Sequence, residues 1–357
     1  MPHRVVQWGT GNVGVWSLRH LIRHPDFELV GLHAHSEHKL GKDAAELAGL
    51  GEKTGVEATN DVDALLALGP DCVVYTANGE LRPQEAVADL ARILRAGIDV
   101  VSCALIYLIH PPSASPELRE PLEEACREGG STLFVNGVDP GFSGDLLPLT
   151  ALQIAGEVEE VRVQEIFDYS TYEDPEFTGV ALGFGKDEST KPIMAMPGML
   201  AMAWGGMIDL LAKALGVEVE EKREFFERVF AAEGFDCPMM RVEKGQGSAV
   251  RFGVEGIVDG RPLIVAEHVT RLGLDQAPHW PQAPDGRPGV HRCIIKGNPG
   301  LEFDCFMTGE NGNHTIGGVQ ATVLRLINAI PAVRAHAPGF VTTLELPWTP
   351  TTALRGR

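Results

Sequence analysis

Positive charge is scarce in this sequence. Its 357 residues carry 49 Asp and Glu against 30 Lys and Arg, a formal net charge of −19. Such a surface repels phosphate backbones and anionic headgroups, so neither nucleic acid nor a membrane is an expected partner. No apolar run approaches the roughly 20 residues of a membrane span. The opening MPHRVVQWG enters a strand pattern directly, so no signal peptide is expected. The six cysteines (Cys72, Cys103, Cys126, Cys237, Cys293, Cys305) show no C-x-x-C pair and no metal-type spacing, so no metal is expected. Scattered thiols in apolar contexts suit a reducing cytoplasm, the expected location. What remains is the composition of a globular enzyme, 44% hydrophobic and 22% charged, long enough for two cores.

Order along the chain supports two domains. Residues 4–8 form a short apolar run that ends at Gly9. A helical segment follows over 15–23, and a second strand over 27–34. Helices then start at Asp61 and run over 83–96 and 116–128, alternating with strands at 72–76, 98–102 and 131–136. This alternation predicts an α/β fold with a doubly wound parallel sheet over residues 1–145. Beyond it, residues 158–169 alternate as a long strand, 196–215 read as a helix and 221–232 as a charged amphipathic helix. Asp259-Gly260 and Asn298-Pro299-Gly300 lie between alternating runs and predict two hairpins. Residues 146–309 are therefore expected to form an α+β domain on a mixed or antiparallel sheet. A last helix over 317–330, within residues 310–345, is expected to return to the first domain.

Gly9-Thr10-Gly11-Asn12-Val13-Gly14 matches G-x-G-x-x-G, placed after a strand and opening a helix. The first glycine allows the tight turn, the second lets a pyrophosphate approach the backbone, and the third lets helix and strand pack closely. The helix start offers free N–H groups and partial positive charge to that anion. This context marks a dinucleotide site. At the end of the second strand His35, Ser36 and Lys39 suit a 2′-phosphate, which favours NADP. If Glu37 instead takes the ribose hydroxyls, the cofactor is NAD. Ligands of such sheets lie beyond the strand carboxyl ends. Those ends carry Thr76, Ala77 and Asn78, then Ser102 and Cys103, then Asn136, Pro140 and Gly141.

The segments VVQWGTGNVG, VVYTAN and NGVDPGFSGDLLPL extend this pattern. So do QEIFDYSTY with the later GFG, EHVTRL with APHWP, and NAIPAV with APGFVTTLELP. With them the chain resembles the dihydrodipicolinate reductase-like oxidoreductases, in particular the branch of 2,4-diaminopentanoate dehydrogenase and native amine dehydrogenases. The resemblance implies a homodimer with an α+β substrate and dimerisation domain. It also implies reversible hydride transfer between NAD(P)H and an imine or amine carbon. Amine-forming members carry a glutamate just after the strand equivalent to residues 99–102; here residues 104–110 read ALIYLIH, without a carboxylate. The paired histidines and lysine of dihydrodipicolinate reductases also have no recognisable counterpart. Carbonyl reduction and a non-catalytic dinucleotide sensor therefore stand as alternatives.

Hydride transfer to C=N or C=O needs a nearby proton donor. Tyr107 and His110, just past a strand end, are the catalytic candidates; the alternative is a packed turn. Glu165, Asp168 and Tyr169 end the long strand as candidate substrate contacts. Alternation puts Glu165 and Asp168 on opposite faces, so only one of these acids can serve. His268, on a strand face with Ile264 and Ala266, is a substrate contact or a satisfied core histidine. Trp204, in a methionine-rich helix, is a core residue or the wall of an apolar pocket. Few basic groups are at hand to clamp a carboxylate, so the expected substrate is small and apolar.

Overall fold

The computed structural model describes residues 1–172 and 174–354, except the side chain of Asn311. The first unit comprises residues 1–138 and the chain from Val319 onward; the second is residues 139–318. In chain order the first unit begins with β1 (His3–Trp8), α1 (Asn12–Arg23), β2 (Phe27–His33), α2 (Ala44–Leu47), β3 (Ala58–Thr59) and α3 (Val62–Ala67). It continues with β4 (Cys72–Tyr75), α4 (Pro83–Arg95), β5 (Asp99–Ser102), α5 (Pro116–Gly129) and β6 (Thr132–Val135). The second unit holds α6 (Leu146–Leu152), β7 (Glu157–Asp168), α7 (Pro175–Ala181), α8 (Met199–Leu215) and β8 (Glu221–Phe230). The pair β9 (Phe235–Asp236) and β10 (Arg241–Val242) follows, then β11 (Gly247–Val258), β12 (Arg261–Arg271), β13 (Gly289–Asn298) and β14 (Leu301–Cys305). Helix α9 (His314–Ala335) carries the chain back into the first unit, where β15 (Gly339–Val341) follows.

Seven parallel strands in the order β15-β6-β5-β4-β1-β2-β3 make the first sheet. Adjacent valines divide between its faces because a strand alternates its side chains. Val6, Val73 and Val100 pack with Leu90 and Leu94 of α4 and Leu122 of α5. Val5, Val74 and Val101 pack with Leu21 of α1 and with Leu326, Ile327, Ile330 and Val333 of α9. By length and composition α9 is apolar enough to cross a membrane, contrary to the sequence reading that no segment approaches that length. Its apolar stripe is instead buried on the parallel sheet, and it runs through Pro331, past the expected end at residue 330.

The second sheet is mixed, ordered β14-β13-β7-β12-β11-β8, with β7 and β12 parallel and the other pairs antiparallel. Both expected hairpins are present, as β11–β12 and β13–β14. Residues 221–230 are strand β8, which corrects the expected helix. Their charges fit helical spacing, but Phe225, Phe226, Val229 and Phe230 favour a pleated surface, and β11 supplies a full antiparallel partner. Even-numbered residues of β8 face α8. Lys222 pairs with Asp209, and the Glu224 carboxylate accepts from the Gly198 and Ala201 N–H groups at 2.7 and 2.6 Å, capping α8.

Candidate functional site

In the first unit the glycine turn is held from beneath by a buried polar network. Gln7, fully buried, donates through Nε2 to the Gly9 carbonyl at 3.0 Å and to Thr76 Oγ1 at 2.8 Å. Ser17 Oγ donates in turn to Gln7 Oε1 at 2.5 Å. Gly9 has φ of +100°, a conformation L side chains rarely adopt, and a Cβ on Gly14 would stand 2.2 Å from the Gly9 carbonyl oxygen. The fold itself therefore requires those two glycines. Gly11 differs: a Cβ there meets nothing within 4 Å. None of the described residues excludes a Cβ at Gly11, so its smallness fits a ligand that comes close to the backbone. No side chain caps α1, and its first turn carries no acid, which leaves the positive helix start open to an anion.

Around this turn, Lys39 Nζ donates to the Thr10 carbonyl at 2.7 Å. Ser36 is half-buried, and His35 and Glu37 are exposed. His33 stacks on Trp8 with centroids 4.0 Å apart, and burial, with His35 adding, pushes its imidazole down to about 4. Thr76 and Ala77 are half-buried at the end of β4, while exposed Asn78 accepts from the Leu81 N–H. Ser102 is buried and caps the Ala104 N–H; Cys103 is half-buried, with its thiol pushed up to about 12 by burial. Asn136 is buried and donates to Thr343 Oγ1. Pro140 and Gly141 belong to the second unit, so the structure does not bring them together with the other strand-end residues in one unit.

Tyr107 and His110 are both buried. His110 Nδ1 is 2.6 Å from Ser113 Oγ. The Tyr107 hydroxyl has no hydrogen-bond partner among the described residues; burial and the Glu80 charge push it up to about 12. At neutral pH it therefore donates hydrogen bonds and does not act as a base. Glu80 supplies a carboxylate next to residues 104–110, where its Oε1 accepts from the Ile106 N–H at 3.2 Å.

The second unit assembles a group that no single segment discloses. Strand register sets His291, Glu165 and His268 directly opposite one another on β13, β7 and β12, and Phe252 and Phe226 extend the row across β11 and β8. From α8, Trp204 packs on His268 and Phe252 at 4.5 and 5.3 Å between centroids; Phe252 stacks on His268 at 4.7 Å. Asp139 completes the group. Its Oδ1 accepts from Trp204 Nε1 at 3.0 Å, and its Oδ2 lies 3.6 Å from His268 Nε2. Glu165 Oε1 accepts from the Tyr169 hydroxyl at 2.9 Å and lies 3.9 Å from His268 Nδ1; Glu165 Oε2 lies 3.3 Å from His291 Nε2. Among the described residues, neither nitrogen of His291, which is 1% exposed, completes a well-aligned hydrogen bond.

These contacts set the charges. Burial opposes ionisation of Glu165, but the flanking imidazoles of His268 and His291 outweigh it and hold the carboxyl well below the usual carboxylate range. Burial pushes Asp139 the other way, upward, against the pull of His268 and with the Glu165 charge adding. Burial disfavours the charged form of His268, yet Asp139 and Glu165 prevail and raise it. Burial and Glu165 also hold the Tyr169 phenol well above its ordinary value.

Of the sequence candidates, Glu165, Tyr169, Trp204 and His268 come together here. Asp168 does not: its carboxylate accepts from the Ser170 and Gly273 N–H groups at 2.8 and 3.0 Å, a turn-stabilising role. Asp139 and His291 escaped the sequence reading. The 277–281 loop is packed: Trp280 is buried, and Arg271 donates to the Gln276 and Pro281 carbonyls at 3.0 and 2.6 Å.

The family model of the 2,4-diaminopentanoate dehydrogenase C-terminal domain matches residues 142–356. An amine dehydrogenase from Streptomyces virginiae is 43% identical over 354 residues, 99% of this chain and 98% of that protein. A 2,4-diaminopentanoate dehydrogenase from Acetoanaerobium sticklandii is 21% identical, covering 96% of this chain and 93% of its own. Among solved structures, an amine dehydrogenase from Mycobacterium smegmatis shares the fold with a TM-score of 0.77 at 22% identity, covering 98% and 97% of the two chains. Together with the glycine turn, these matches place the chain in the 2,4-diaminopentanoate dehydrogenase and amine dehydrogenase branch of the dihydrodipicolinate reductase-like NAD(P)-dependent oxidoreductases.

Proposed function

We propose that this enzyme interconverts a primary amine with the corresponding imine and ketone on a small, largely apolar substrate, with NADP as its preferred dinucleotide. The observation that carries the reading is the open space at Gly11 in an uncapped helix start, in a chain 43% identical to an amine dehydrogenase along nearly its full length. The dinucleotide, when bound, accepts or supplies the hydride. Residues 9–14 hold its pyrophosphate, and Ser36 with Lys39 holds the 2′-phosphate. Lys39 supports this assignment because its contact with the Thr10 carbonyl keeps an ammonium beside the turn. Thr76, Ala77, Asn78, Ser102, Cys103 and Asn136 line the remainder of the cofactor site.

Imine chemistry needs two proton sites, one for a carbonyl oxygen and one for a nitrogen. Tyr107 and His110 serve the oxygen as donors; the buried, unpartnered Tyr107 hydroxyl supports this. The enzyme works in a reducing cytoplasm as a homodimer. The dimer reading rests on the resemblance to the family alone. The test is fluorescence titration of the purified protein with NADPH and NADH. Saturable binding, tighter for NADPH, is expected; no binding of either at millimolar concentration overturns the reading.

A further inference from the structure

The row across the second sheet has features that a structural ion pair does not need. His268 stands between two carboxylates but beyond hydrogen-bond distance of both, at 3.6 and 3.9 Å. Contacts longer than 3.5 Å are ones that a further polar atom, lying to one side of both groups, can complete. His291 is buried beside Glu165, with Nε2 3.3 Å from Glu165 Oε2 and, among the described residues, no hydrogen-bond partner for Nδ1. Asp139, Glu165 and His268 each present one polar atom, and these atoms lie within 4.8 Å of one another. Three polar atoms that close can converge on one bound polar atom. Tyr169 and Trp204 each donate one hydrogen bond to these carboxylates, which leaves further acceptor positions for a hydrogen-bonding cation. The aromatic faces of Trp204 and Phe252 beside His268 suit a cation carried on an apolar body.

We propose that this row seats the substrate's amine nitrogen: Glu165 anchors the cationic nitrogen, and Asp139, through His268, takes up and returns its proton. The proposal rests on the amine reading above and supplies the nitrogen-side group that residues 104–110 lack. In the oxidative direction one N–H bond of the ammonium breaks and its electron pair stays on nitrogen. The proton passes to the His268–Asp139 pair and from there to solvent; reduction reverses each transfer. The opposed environments of the two acids fit this division, one carboxylate held ionised and the other raised towards protonation.

The test follows fluorescence of the full chain as cyclohexylammonium chloride or cyclohexanol is added, with and without NADP⁺, and uses Trp204→Phe to assign the signal. The amine should give a saturable Trp204-dependent change and the alcohol none. Glu165→Gln should weaken amine binding at least tenfold. Asp139→Asn should bind within threefold of wild type yet lose at least a hundredfold in amine oxidation. Equal amine binding by wild type and Glu165→Gln overturns the proposal, as does loss of binding in Glu80→Gln but not in Glu165→Gln. Micromolar Zn²⁺ binding that Glu165→Gln abolishes, without any response to the amine, assigns the row to a metal and also overturns it. If Glu165→Gln fails to fold, the wild-type contrast of amine against alcohol still decides. Amine oxidation that persists at wild-type rate in both acid variants rejects this site but leaves the proposed function standing. Dinucleotide binding without turnover of any amine rejects that function itself.

Discussion

At the residue scale, three glycines of one motif answer to different forces. Gly14→Ala drives a Cβ into the Gly9 carbonyl oxygen, so it should destabilise the first unit by about 1–3 kcal/mol, the usual range for overpacking. Urea unfolding measures this. Gly11→Ala has free space in the fold. It should leave the urea midpoint unchanged while dinucleotide Kd rises by about tenfold, some 1.4 kcal/mol. His33 gives a pH signature. Its folded pKa of about 4 lies below the ordinary 6.5, so the unfolded chain binds its proton more readily. The stability it contributes is complete above about pH 6.5 and is lost as pH falls towards and through 4. His33→Phe keeps the stack on Trp8 without the titration, so its urea midpoint should fall less between pH 7 and 4.5 than that of the wild type. Neither the turn nor the strand-end polar groups required the structure to be seen, because their meaning is local.

At the element scale, legibility depended on how far apart the deciding partners lie. The β-α-β alternation and the two hairpins were readable because each is fixed within about thirty residues by its own turns and periodicity. Strand β8 was not: EKREFFERVF carries a helical charge spacing, and only pairing with β11 settles it. Its Glu224 then caps α8 across 26 residues of sequence, a contact no local rule finds. Glu224→Ala should cost about 1 kcal/mol, as loss of a helix cap usually does, and should raise amide exchange in the first turn of α8. The row of His291, Glu165 and His268 was hidden for the same reason. Alternation told which face Glu165 and Asp168 take, but only the register of β7, β12 and β13 decides what stands opposite Glu165. Asp139, in an Asp-Pro-Gly turn that reads as a strand-end loop, gave no local sign of joining it.

At the scale of the whole molecule, two chemistries that a dehydrogenase must combine rest on separately built units. The first presents backbone amides and one lysine suited to a phosphorylated carrier. The second gathers two half-buried carboxylates and two buried imidazoles at one sheet face. Scarcity of basic residues fits the same picture: no Lys or Arg pairs with Asp139 or Glu165 among the described residues, and the row keeps an apolar aromatic wall. Lys39→Ala should lower the preference for NADPH over NADH by about tenfold, since it removes one charge-assisted contact to the 2′-phosphate; paired fluorescence titrations check it. The most direct test of the central claim is NADPH oxidation with an unbranched aliphatic ketone, measured with and without ammonium in the same buffer. Amine chemistry predicts turnover that appears only with ammonium and saturates in it. An equal rate without ammonium, or binding of NADPH with no turnover under either condition, would contradict the account.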